Sequence, residues 1–127
     1  MAKAILHLSL HNPDEAVQFY LKAFDAKITR MVRNPEDNSF IHAEIDALGQ
    51  TIAFMGRDSE TIAGNTMFMF FRFDKGEEAI IEKAYEVLKD GAQPHEPIEP
   101  CFWSYCAVSL IDKYGVHWCL GVGAKTP

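Results

Sequence analysis

CFWSYCAVSLIDKYGVHWCLGV, residues 101–122, is the stretch on which the fold turns. Two apolar runs, 105–111 and 116–122, flank Asp112-Lys113-Tyr114-Gly115. Turn residues between β-rich runs predict a β-hairpin. A related pattern occurs earlier. Ile45-Asp46-Ala47-Leu48-Gly49 precedes the apolar run 51–55, as Ile111-Asp112-Lys113-Tyr114-Gly115 precedes 116–120. The two copies of Ile-Asp-x-x-Gly lie 66 residues apart in a chain of 127. A spacing of half the chain predicts an internal duplication.

The totals bound what the chain can be. Its length suits one domain or two small halves. The hydrophobic fraction of 48% is enough for a folded core. The formal net charge is −6, with acidic and basic residues interspersed. That argues against nucleic acid or an anionic membrane surface as a partner. No apolar run approaches the ~20 residues of a membrane helix, and Met1-Ala2-Lys3-Ala4 lacks a signal-peptide shape. Three cysteines without a Cys-x-x-Cys pair predict reduced thiols in a cytoplasmic protein.

Residues 4–11 alternate, with Leu6, Leu8 and Leu10 on one face and His7, Ser9 and His11 on the other. Period two predicts a half-buried strand. A helix follows, with Asn12 as N-cap, Pro13 at the first position and Glu15 completing a capping box. Ala16, Phe19, Tyr20, Ala23 and Phe24 form its apolar stripe. Strands are predicted over 27–33, 40–47 and 51–55, the second with His42, Glu44 and Asp46 on one face. The polar segment 56–66 reads as the linker. The order then repeats. A strand over 67–73 is followed by a helix capped by Asp74 and Glu77 and stopped at Gly91. A short edge segment at 93–97 and the closing hairpin end the chain. The expectation is an α+β fold of two βαβββ modules, 1–57 and 67–127, joined by a linker at 58–66.

This arrangement resembles the vicinal oxygen chelate superfamily, which includes glyoxalase I, bleomycin-resistance proteins and extradiol dioxygenases, and within it the PhnB-like branch. Asn12 to Tyr20 with Ala23-Phe24, Phe40 to Ile45 with Gly49-Gln50, and Phe102-Trp103 with Asp112 to Trp118 carry the likeness. Two single positions and one four-residue segment depart from the branch. Asp25 stands where it has Gly, Lys113 where it has Pro, and Ser104 to Ala107 replace Gly-Asp-Arg-Tyr.

The resemblance implies a shared half-barrel cavity between modules, a homodimer, and His, Glu or Gln ligands to a divalent ion from the first and last strands of each module. Here those strands offer Ile5 or His7, Ala53 or Met55, Met67 or Met69, and Cys119 where relatives have Glu. Only His7 is an ordinary ligand for a borderline ion. The expectation is therefore no metal and no other cofactor, with a small organic molecule bound in the cavity.

Its candidate ligand-binding residues are His7, Ser9, His42, Glu44, Met55, Met69, Trp103, Tyr105, Trp118 and Cys119. Candidate catalytic residues are His7, as base or donor, and Glu44, as a carboxylate base with a raised pKa. The alternative is a divalent metal ion on His7, His42 and Glu44, giving a lyase, isomerase or dioxygenase-like enzyme. A soft Cu(I) set of His7, Met55, Met69 and Cys119, and a resistance protein that sequesters an antibiotic, are further alternatives. No Gly-rich loop follows a strand, which disfavours an S-adenosylmethionine methyltransferase.

Overall fold

The computed structural model describes residues 2–57, 64, 67–93 and 104–124. The chain forms two compact units, Met1–Ile62 and Ala63–Pro127. Most of the predicted linker and residues 94–97 of the predicted edge segment lie outside the described residues.

In the first unit, β1 (Leu6–Leu10), α1 (Pro13–Ala23), β2 (Lys27–Arg33), β3 (Phe40–Ala47) and β4 (Gln50–Gly56) follow in order. They form a four-stranded sheet, β1-β4-β3-β2. β1 runs parallel to β4, and the other neighbours are antiparallel. A parallel pair needs a crossover connection, which the α1-β2-β3 excursion supplies. Pro13 opens α1, where its missing N–H is no loss. The expected capping box does not form, because the Asn12 side chain makes no cap hydrogen bond. After the helix, Asp25 holds φ 49°, a left-handed turn usually given to glycine, so this departure from the family pattern sits on a strained position.

Alternation sorts the first sheet into two faces. The register Leu8↔Phe54↔Ala43 and Leu6↔Ile52↔Ile45 puts these residues on the helix side. Phe54, Ile45, Ile52 and Ala43 are fully buried there, under Val17 and Tyr20 of α1. Tyr20 stacks on Phe54 with ring centroids 5.7 Å apart. Burying each such side chain stabilises by roughly 1.5–3 kcal/mol.

In the second unit, β5 (Met69–Phe73), α2 (Glu78–Leu88), β6 (Ser104–Ile111) and β7 (His117–Ala124) give a sheet of order β5-β7-β6 among the described residues. Again the first strand runs parallel to the last, and the hairpin is antiparallel. The helix starts a turn later than its sequence cap predicts. Glu77, not Asp74, is the N-cap residue, and its carboxylate reaches back to accept from the Asp74 N–H at 2.7 Å. Trp118, Leu120, Val122, Phe71 and Leu110 are buried with Ile81, Ala84 and Leu88 of α2. Gly91 stops the helix at φ +74°, as its sequence position predicts.

The two hairpins of the repeated motif differ locally. Leu48 and Gly49, both with positive φ, make a two-residue turn, and Asp46 pairs with Thr51 inside the ladder. The second loop is longer. The Asp112 carbonyl accepts from the Gly115 N–H at 2.9 Å, and the Asp112 N–H donates to the Val116 carbonyl.

Candidate functional site

Among the described residues, each sheet has one face that the helix of its own unit does not cover, and chemistry-bearing residues gather there. In the first sheet one row across the strands is His7↔Ala53↔Glu44↔Arg30. Ser9↔Met55 is a neighbouring pair on the same face. His42 stands two residues from Glu44 on β3, so both side chains project the same way. The structure thus brings His7, Ser9, His42, Glu44 and Met55 onto one surface. His42 Nε2 lies 2.8 Å from Glu44 Oε2. The imidazoles of His7 and His42 are 5.9 Å apart between centroids and tilted by 42°. Ala53, between His7 and Glu44, is fully buried and offers no polar side-chain atom.

Glu44 differs from its expected role. The hydrogen bond from His42 holds its carboxyl below the ordinary glutamate value. Partial desolvation opposes this, while the charges of His42, Arg30 and His7 add to it. A carboxylate lowered in this way is a weaker base than the raised one the sequence suggested. Sequence reading missed Arg30, which alternation alone cannot place because β2 carries register shifts on both sides of residues 30–32.

The matching row of the second sheet is Phe70↔Cys119↔Ser109. Here two expectations are corrected. Met69 pairs with Trp118, on the face opposite Cys119, because side chains alternate along β5. Trp118 is fully buried, stacked against Phe71 at 6.2 Å, and its indole N–H donates to Asp112 at 2.8 Å. It is a core residue, and the soft set of Met69 with Cys119 is not brought together. Trp103 and the side chain of Tyr105 lie outside the described residues. Ser109 Oγ and His117 Nε2 are 3.0 Å apart, and the Phe68 ring lies 4.9 Å from that imidazole. Alternation along β7 puts His117 on the face of Cys119, and its hydrogen bond runs across the hairpin to Ser109.

A divalent ion of the kind the fold implies can be tested against these positions. Register places His7, Ala53, Phe70 and Cys119 in the corresponding places of the paired strands. On the first sheet those positions hold one imidazole beside an alanine methyl, and on the second a phenyl ring beside a thiol; taken separately, neither pair is an ordinary ligand set for a hard ion. Among the described residues, no group of three His, Cys, Asp or Glu side chains is placed to hold a metal. The described residues at these positions do not fit the ion.

Residues 5–120 match the sequence profile of the glyoxalase/bleomycin resistance protein/dioxygenase superfamily. The chain belongs to this superfamily. Solved structures agree on the fold. A PhnB protein from Bacillus cereus, described as a putative 3-demethylubiquinone-9 3-methyltransferase, is 23% identical, with a TM-score of 0.78 over 96% of this chain and 100% of that one. Protein PA1353 from Pseudomonas aeruginosa is 17% identical, with a TM-score of 0.76 over 97% and 98%. The fosfomycin resistance protein FosX from Listeria monocytogenes, solved as a point mutant with Mn(II) and a dihydroxypropylphosphonic acid, is 15% identical. Its TM-score is 0.67 over 96% and 90%. No curated protein sequence matches the chain. Among the described residues, no helix is long and apolar enough to cross a membrane.

Proposed function

We propose that this chain is a PhnB-like, cytoplasmic, homodimeric member of the superfamily. It binds a small organic molecule on the helix-free face of its first sheet, without the divalent ion used by metalloenzymes of the fold. The observation that carries this reading is the composition of the two rows. His7 and Glu44 flank an alanine on one sheet, and Phe70, Cys119 and Ser109 occupy the matching row on the other. The first of these faces offers hydrogen bonds from His7, Ser9 and the His42–Glu44 pair beside apolar surface from Met55. That mixture suits a small molecule with a few polar groups.

The test has two parts. Elemental analysis of the purified protein gives less than stoichiometric Ni, Zn, Mn and Fe, and adding each ion leaves the melting temperature unchanged. A screen of small aromatic and carboxylic compounds by thermal shift gives ligands whose effect is lost in His7→Ala. A stoichiometric ion that disappears in His7→Ala or Glu44→Ala would refute the metal-free reading and favour a metalloenzyme.

A further inference from the structure

Arg57 follows directly on β4, at the end of the first sheet away from Glu44. Its N–H donates to the Leu10 carbonyl at 2.9 Å, so the parallel ladder with β1 runs one residue past Gly56. Alternation from Met55 through Gly56 returns Arg57 to the open face, beside the Ser9↔Met55 pair. Arginine keeps its charge at any ordinary pH. Arg33, Lys89 and Lys113 each rest on a carboxylate. Among the described residues Arg57 has no such partner, and its Nε is buried without a hydrogen-bond acceptor. Of its nitrogens only Nε is both buried and unpartnered, so the Nη groups, equally without side-chain partners, reach the surface.

A half-buried cation with an unmet donor is costly unless an anion meets it. The acids of this face do not. Glu44 and Asp46 pair with Ala53 and Thr51, four and six residues back along β4. At the strand rise that is roughly 13 and 20 Å away. We infer that Arg57 is an anion subsite of the ligand face, and that the molecule bound there carries a single carboxylate on an apolar body. This rests on the ligand face proposed above. The two Nη groups form a planar fork that matches the two oxygens of a carboxylate, and partial burial strengthens their attraction for it. A dianion such as phosphate would bring two charges to one guanidinium, on a face that already holds Glu44 and Asp46 and a chain of net charge −6. Met55, 37% exposed, lies between Arg57 and the His7–Glu44 row and gives the apolar body a surface to rest on. The Ser9 hydroxyl stands across from Met55, within the same stretch of face.

The probe is benzoate, with benzamide as its neutral counterpart of the same shape. In calorimetric titration of the whole protein, benzoate binds about tenfold tighter than benzamide or better, the weight of one charge-assisted hydrogen bond. Arg57→Met removes that preference and leaves benzamide binding as it was, while Arg57→Lys keeps part of it. Inorganic phosphate at equal concentration does not displace benzoate. A second readout needs no probe. Ligand-free Arg57→Met melts at or above wild type, because methionine keeps the apolar stem and removes a buried donor that has no partner. A clear fall in its melting temperature would make Arg57 a structural residue and overturn the subsite. Benzamide binding as tightly as benzoate, with both lost in His7→Ala, overturns the subsite and leaves the ligand face standing. Displacement by phosphate overturns the carboxylate class. Binding of neither compound overturns both the subsite and the face.

Discussion

Replacing Asp112 should strongly destabilise the second unit. This carboxylate is 3% exposed, and three donors converge on it. Oδ1 accepts from the N–H groups of Tyr114 at 2.9 Å and Val116 at 3.0 Å. Oδ2 accepts from the Trp118 indole at 2.8 Å. In Asp112→Asn one oxygen becomes an NH2 group, which must face a donor whichever way the amide turns. One or two buried N–H groups then lose their partner, at about 1–3 kcal/mol for each buried group left unsatisfied. Asp112→Ala loses all three bonds and should cost on the order of 3–5 kcal/mol. Both are large against a total stability of roughly 5–15 kcal/mol. The assay is urea unfolding followed by circular dichroism, with Trp118→Phe and the double variant completing a cycle. The cycle separates the hydrogen bond from the volume lost at position 118. Asp112→Asn should lower stability by about 2 kcal/mol, with roughly 1–2 kcal/mol of it coupled to Trp118. A change under about 0.5 kcal/mol, or coupling near zero, would refute the claim that this carboxylate anchors the hairpin to the core.

Gly91→Ala should cost about 1–2 kcal/mol in the same assay, because an L residue is strained at φ +74° and the new Cβ would lie 3.0 Å from the Lys113 Cβ. An unchanged midpoint would mean that the loop relaxes freely. Glu44 has a folded-state pKa below its unfolded value, so its contribution is present above the ordinary glutamate range and is lost as pH falls through the folded value. The stability difference between wild type and Glu44→Gln should therefore shrink toward acid pH, and a carbon NMR titration of the Glu44 carboxyl should give a midpoint below that of an exposed glutamate. A midpoint at or above that level would contradict the pairing with His42.

Much of the fold was legible because the chain is locally consistent. The alternation of 40–47 gives β3 at its observed bounds and with its observed faces. Pro13 and Gly91 mark a helix start and stop through backbone constraints that tertiary packing does not alter. Side-chain caps were less legible. Asn12 has the right identity and place but makes no cap bond, and Glu77 displaces Asp74 as the N-cap residue. The candidate site was legible by face and not by register. Alternation put His7 with Ser9 and His42 with Glu44. That His7 shares a row with Glu44, or that Cys119 faces Phe70 and not Met69, depends on how strands slide against each other. A slip of one residue inverts such an assignment, which is why Met69 was placed on the wrong side. The His42–Glu44 hydrogen bond and the lowered carboxyl of Glu44 need a distance between side-chain atoms, and no pattern in the sequence supplies one.

Register also shows where the two halves have been free to differ. On the helix sides, Leu8 and Phe54 match Phe71 and Leu120, and Ile45 and Ile52 match Leu110 and Trp118. Every one of these positions is apolar, and all but Leu8 are buried, because a helix covers it and an unpaired polar group there would be costly. On the helix-free sides the matches are His7 with Phe70, Ala53 with Cys119 and Glu44 with Ser109. None of these pairs preserves its chemistry. Packing restrains one face of each sheet and not the other, so two units of like topology keep alike cores while their open faces differ. The first sheet's face carries an imidazole–carboxylate pair, and the second carries two exposed phenyl rings, Phe68 and Phe70, beside a serine–histidine pair. A function that needed equivalent ligands from both modules could not tolerate that divergence. One that draws its polar groups from the first module alone would.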